Sequence, residues 1–139
     1  MRTSGAGAEI RTTEKVCVQD VTGEVRRALA AAGMRQGIAV ISVPHTTCGL
    51  CVNEAETGLL EDLTRLAARL VESVAPRDGF AHDRIDANAR AHLFAALMGG
   101  SIVVPVSEGA LRLGTWQSVL LVEADGPRLR RLEMTFLGE

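Results

Sequence analysis

The chain has 139 residues, with 15 Lys and Arg against 17 Asp and Glu, a formal net charge of −2. That balance offers no basic surplus for non-specific nucleic-acid binding, and a hydrophobic fraction of 47% is too high for a disordered chain. No apolar run approaches the roughly 18 residues of a membrane helix, and Met1 to Ala8 lacks the apolar core of a signal peptide.

One domain spanning residues 1–139 is expected, because a chain of this length buries about 68% of its unfolded surface without needing disulfides or a structural metal. Ala8 to Val18 is β-branched without helical period, which predicts one or two strands around Glu14-Lys15. Asp20-Val21-Thr22-Gly23-Glu24 reads as a capped helix start. Val21, Val25 and Leu29 fall on one face, and Gly33 closes the helix. Gly37 to Val43 is a buried strand stopped by Pro44, and Cys48 to Asn53 resumes extended.

Leu59, Leu63, Leu66, Leu70 and Val74 recur at helical spacing, so a long amphipathic helix is expected over Thr57 to Ala75, broken by Pro76-Arg77-Asp78-Gly79. A loop from Phe80 to Ala87 leads to a shorter helix, Asn88 to Met98, closed by Gly99-Gly100. Three strands follow, at Ser101 to Val106, Thr115 to Ala124 and Leu129 to Leu137. The last alternates Leu132, Met134 and Phe136 against Arg131, Glu133 and Thr135. Val119 to Val122 is apolar on both faces, so helices or another subunit must cover it on both sides. The order lacks strict βαβ alternation, which makes the fold class α+β.

Cys17, Cys48 and Cys51 make an odd count in a chain without a signal peptide, which points to reduced thiols in a cytoplasm. Cys48-Gly49-Leu50-Cys51 is a C-x-x-C, but in a strand residues three apart face opposite ways. They share neither a metal nor a disulfide there, and the expectation is two buried, inert thiols. Lys15 is the only lysine, and arginine, which supplies the remaining positive charge, suits phosphate and carboxylate.

Three histidines occur: His45 after a strand, His82 in a loop and His92 in the third helix. Imidazole and carboxylate ligate zinc, manganese and similar ions, and they are common general acids and bases. If the fold gathers them, the three form a metal or proton-transfer site; apart, each is a hydrogen-bonded structural residue. Glu54 and Asp62 are candidates to orient a histidine, or else a helix cap and a solvated helix residue. Trp116 stacks on a ligand ring, or anchors a core or interface. Of the adjacent Arg130 and Arg131, at most one points into a given site. No phosphate-binding glycine loop and no G-x-S-x-G elbow is present.

These pieces together resemble the YjbQ family, the proteins called secondary thiamine-phosphate synthases. The resemblance rests chiefly on His45-Thr46-Thr47 through Asn53-Glu54 and on Leu113-Gly114-Thr115-Trp116-Gln117. Asp20-Val21-Thr22, Asp62, Phe80-Ala81-His82-Asp83, Ala91-His92-Leu93, Gly99-Gly100-Ser101, Val104-Pro105-Val106, Gly126-Pro127-Arg128 and Gly138-Glu139 extend it over nearly the whole chain. It departs from the family pattern between His82 and His92, where the loop looks about one residue shorter and carries Arg84-Ile85-Asp86. It departs again at Phe80, where Tyr or Trp is common.

The resemblance implies a compact domain that assembles as a homotrimer, with a polar site near a subunit interface. It implies a weak activity joining a pyrimidine methyl diphosphate to a thiazole phosphate with release of pyrophosphate. On that reading His45, His82 and His92 would hold a divalent ion such as zinc, magnesium or manganese. Arg131 would contact a phosphate of a small phosphorylated substrate, with Glu54, Asp62, Trp116 and Gln117 completing the site. The alternative is a trimeric protein that binds a metal or small anion without turning it over.

Overall fold

The computed structural model describes residues 1–73 and 75–139, with the backbone alone at residue 71. Among the described residues, two sheets and three α-helices form the fold. The chain opens with β1 (Arg2–Arg11) and β2 (Cys17–Asp20), so the first extended region begins earlier than the composition predicts. Helix α1 (Thr22–Ala32) starts where expected, and the Asp20 carboxylate accepts the Thr22 N–H at 2.9 Å. It ends on Gly33, whose φ of 59° is left-handed. Strands β3 (Gln36–Ser42) and β4 (Cys48–Asn53) follow.

Helix α2 covers Thr57–Ser73; Val74, the last residue of the predicted apolar stripe, lies outside the described residues. A short 3-10 turn at Ala81–Arg84 interrupts the predicted loop, and α3 spans Ala89–Met98. Strand β5 (Ser101–Ser107) turns tightly into β6 (Ala110–Leu111), a hairpin the sequence reading did not contain. Glu108 and Gly109 at its corner both have positive φ, 56° and 78°, as a two-residue hairpin turn requires. Strands β7 (Ser118–Glu123) and β8 (Leu129–Gly138) complete the chain.

The five-stranded sheet runs β1-β8-β3-β5-β6 and the three-stranded sheet β2-β7-β4, with every strand pair antiparallel. The main core lies between the sheets. Leu132, Met134 and Phe136 of β8 meet Val119 and Leu121 of β7, Leu50 of β4 and Val25 and Leu29 of α1. Each such fully buried side chain contributes about 1.5–3 kcal/mol over leaving it in water. A smaller core on the opposite face of β7 joins Val122 and Ala124 to Ala67 of α2 and Phe94 of α3. The apolar run Val119 to Val122 is therefore covered on both sides by its own chain and needs no second subunit. Cys48 packs into the main core and Cys51 against the smaller one, on opposite faces as strand geometry dictates; all three thiols are free. No helix is long and apolar enough to cross a membrane among the described residues.

Candidate functional site

The site is built where β3 leaves its sheet. The last β3–β8 pair is Ser42 with Glu133, after which Val43-Pro44 turns the chain away. Two residues further along β8, the Arg131 main-chain N–H would lack a strand partner. His45 supplies one: its Nε2 accepts that N–H at 2.8 Å. A lone pair must then sit on Nε2, so the neutral ring carries its proton on Nδ1. Burial, followed by the Arg130 charge, holds the imidazole below its ordinary value of 6.5, with Glu123 pulling the other way.

Beneath His45 lies a buried ion pair. Glu123 is fully buried and Arg130 is 4% exposed. Arg130 donates Nε–H to Glu123 Oε2 at 2.7 Å, while Nη2 donates to Glu123 Oε1 and, at 2.8 Å, to the Thr47 hydroxyl. The Thr12 hydroxyl and the N–H groups of Ala124 and Asp125 also donate to Glu123. Burial alone would raise the Glu123 carboxyl, but the Arg130, Asp125 and Thr12 hydrogen bonds overcome it and hold it below the usual range. Isolated, either charge would be costly at this depth; paired and hydrogen-bonded, they are tolerated.

A second chain of polar contacts crosses from α3. Asn88, just before α3, donates Nδ2–H to Asp125 Oδ2 at 3.0 Å and faces His82 Nε2 through Oδ1 at 3.1 Å. An ionised carboxylate only accepts, which fixes the amide orientation and makes His82 Nε2 the donor. Arg128 closes on the same carboxylate at 2.7 Å. The His82 and His92 rings meet edge to face, with centroids 4.7 Å apart.

These groups surround an open cleft of about 370 Å³ whose walls include His45, Thr47, Asn88, His92, Arg128 and Arg130. Asp86 and Asp125 line it too. Past His45 and His92 the cleft continues along Cys48, Ala95 and Ala96. On the other side of His92, His82 lines a separate depression with Phe80 and Leu93. His92 thus lines all three hollows, sharing the cleft with His45 and the depression with His82. Among the described residues no group of three or more His, Cys, Asp or Glu side chains is placed to hold a metal ion.

The other nominated residues stand elsewhere in a single chain. Arg131 contributes its main chain; its exposed side chain pairs with Glu133 at 3.2 Å, and Arg130 takes the inward place. Glu54 follows Asn53, which pairs with Ser118 at the far end of β4 from Cys48, some 17 Å away at about 3.4 Å per residue. Trp116 and Gln117 lie at that same end, just before Ser118. Trp116 is 73% exposed, and Gln117 Oε1 accepts the Gly114 N–H at 2.8 Å. Asp62 is exposed on α2 beside Arg65. The sequence reading weighed Arg130 against Arg131 and nominated Arg131, and it did not nominate Asn88, Asp125, Thr47 or Glu123. Arg130 was legible, since it shares the parity of the buried Leu132, Met134 and Phe136.

The family model for UPF0047 protein YjbQ-like matches residues 7–139. A UPF0047 protein of Archaeoglobus fulgidus is 46% identical over 123 residues, covering 88% of this chain and 93% of the relative. One from Methanothermobacter thermautotrophicus is 40% identical over 131 residues, covering 94% and 89%. The crystal structure of hypothetical protein APE1520 from Aeropyrum pernix K1 superposes with a TM-score of 0.92 at 41% identity, over 98% of this chain and 99% of that one. A YbjQ-like protein of unknown function from Sulfolobus solfataricus P2 gives 0.93 at 36%, over 99% of each.

Proposed function

Because the chain belongs to the UPF0047 YjbQ-like family, we propose that its cleft is an enzyme site for a small phosphorylated substrate, with the secondary thiamine-phosphate synthase reaction as its activity. One observation carries this reading: His45, His92, Arg128 and Arg130 line a single open cleft. In that reaction the thiazole ring nitrogen gives its lone pair to the pyrimidine methylene carbon. The carbon–oxygen bond breaks, and its electron pair leaves with the diphosphate. No proton need be lost from either ring. The barrier lies in the charge gathering on the leaving group, which fixed N–H donors and guanidinium groups stabilise.

The residues do not fit a resident metal centre built on three histidines. His45 gives its Nε2 lone pair to Arg131, and a neutral ring has no second lone pair for an ion. His82 opens to a different depression from His45. The second reading is a trimer that binds a metal or a small anion without turnover; zinc, magnesium or manganese would there need ligands other than the three histidines of one chain.

The homotrimer is part of the proposal. Leu66, Leu70, Leu93 and Leu97 on α2 and α3 are exposed in one chain, as is Trp116. Assembly is the means by which Glu54, Trp116 and Gln117 of one chain would approach a neighbour's cleft. Three free thiols suit a cytoplasmic setting.

The test is pyrophosphate release on mixing the protein with both thiamine precursors. Slow release that needs both precursors and falls in His92→Ala is the expected result. Release no faster than in the protein-free blank overturns the synthase reading, and elemental analysis of the purified protein decides the metal one.

A further inference from the structure

Beyond the Asn88–Asp125 hydrogen bond lies another hollow, of about 210 Å³ and less open to solvent than the cleft. Asn88 and Asp125 line both, so the two spaces share a wall. His45, His92, Arg128 and Arg130 line the cleft and not this hollow. Its floor is the smaller core: Phe94 and Ala91 of α3, Ala67 of α2 and Ala124 after β7, each no more than 9% exposed. The space exists because of residue size. Where α2, α3 and the end of β7 face one another the chain carries alanine, and a leucine at any of those places would fill it. Ala68, exposed on α2, stands at the mouth.

A dry apolar cavity of roughly 150 Å³ takes a benzene ring. The volume here admits such a ring with a short substituent, and Phe94 supplies an aromatic partner for it. The charges at the rim decide the substituent. Arg90 is held by Glu72 and Asp83, and Asp125 by Arg128. Lys15 is exposed and has no ion pair among the described residues; Glu14, next to it in sequence, lines a different hollow. The Lys15 carbonyl accepts the Gly126 N–H at 2.9 Å, so its long side chain swings from a fixed point beside the cavity. A lone ammonium, compact and strongly hydrated, suits a monoanion. A phosphate dianion is better met by a guanidinium fork, and the one lining this hollow is already engaged.

We propose that this hollow is a second ligand site, for a small aromatic carboxylate whose ring rests against Phe94 among the alanines and whose carboxylate meets Lys15 at the mouth. It is separate from the cleft and stands whether or not the cleft turns anything over.

Calorimetric titration of the full chain with phenylacetate tests it, beside 2-phenylethanol, which keeps the ring without the charge, and acetate, which keeps the charge without the ring. Phenylacetate is expected to bind at millimolar concentration or below, and acetate not to bind. The alcohol should bind several-fold more weakly, the margin an exposed ion pair allows. Ala68→Leu places a good helix former at an exposed position, so it should keep the wild-type unfolding midpoint while abolishing phenylacetate binding. Lys15→Met should weaken phenylacetate to the level of the alcohol and leave the alcohol unchanged. In alanine-methyl NMR spectra the signals of Ala67, Ala91 and Ala124 should move during the titration, while those of Ala39 in the main core and Ala96 beside the cleft stay in place. No phenylacetate binding at millimolar concentration, or wild-type affinity in Ala68→Leu or Lys15→Met, overturns the site. So do equal affinities for phenylacetate and the alcohol, or shifts confined to Ala95 and Ala96.

Discussion

The His45 ring continues a β-ladder that its own strand has abandoned, accepting the Arg131 main-chain N–H at 2.8 Å. That bond requires a lone pair on Nε2, so protonating His45 sets two N–H groups against each other. Arg130 opposes the added charge as well, and Glu123 only partly offsets it.

A folded-state value below the ordinary 6.5 means that the unfolded chain takes up this proton first. The stability that His45 contributes is present above about pH 6.5 and is lost as pH falls through the lower folded-state value. Thermal unfolding of the wild type should therefore drop below pH 6.5 more steeply than that of His45→Gln, which keeps the acceptor and does not titrate. Parallel curves for the two proteins would exclude His45 as the cause.

Removing one member of the Glu123–Arg130 pair leaves the other buried alone. Arg130→Met or Glu123→Gln should cost about 3–5 kcal/mol, measured by urea unfolding. The double variant Glu123→Leu/Arg130→Met should recover a large part of it, because an apolar pair of similar volume avoids the desolvation that either lone charge suffers. The Glu123 carboxyl is held low, so its contribution is present above its ordinary 4.5 and fades as pH falls below that.

Burial pushes the Cys48 thiol up to about 11 and raises that of Cys51. Thiolate, the reactive form, is then scarce at neutral pH. Iodoacetamide at pH 8 should leave both unmodified in the folded protein and label both in urea, read by mass spectrometry. Rapid labelling of Cys48 under native conditions would contradict the burial.

Gly37 and Gly138 face each other across β3 and β8. A methyl group on Gly138 would sit 1.8 Å from the Gln36 carbonyl oxygen, and one on Gly37 2.0 Å from that of Leu137. Their φ values, 148° and 158°, are also unusual for a residue with a side chain. Gly138→Ala should lose at least about 1–3 kcal/mol through this overpacking. Gly5→Ala, which meets only one backbone oxygen, at 4.0 Å, is the control and should stay near neutral. Equal unfolding midpoints would refute the steric account.

Trp116 is the only tryptophan and is 73% exposed in one chain. If the proposed homotrimer covers it, its fluorescence should shift to shorter wavelength over the protein concentrations at which sedimentation reports trimers. A monomer at micromolar concentration by sedimentation ends the trimer proposal.

Much of the fold was open to reading because period and punctuation carried it. The alternation of Leu132, Met134 and Phe136, the stop at Pro44 and the left-handed Gly33 each set an element where it is found. The β5–β6 turn was harder, since Glu108 adopts a positive φ that only its neighbour Gly109 announces. The site was less legible for a different reason. Its donors come from β8, the loop after β3 and the start of α3, and sequence spacing says nothing about which of them meet. Residue type drew attention to the histidines, whereas parity along β8 would have drawn it to Arg130. Val119 to Val122 shows the converse: the sequence demanded a cover on both faces but could not say that the chain itself supplies it.

The ten-residue pairing of β1 with β8 joins segments from opposite ends of the sequence, Arg2 with Gly138 and Arg11 with Leu129. During synthesis at about 5–20 residues per second, β1 must wait for nearly the whole chain before its partner exists. Closing so long a loop makes the step slow. Until then an apolar-faced strand with both edges open is exposed to other nascent chains. Its glycines and alanines, in Ser4-Gly5-Ala6-Gly7-Ala8, pack poorly in strands, so the segment has little intrinsic drive to form a strand before β8 arrives.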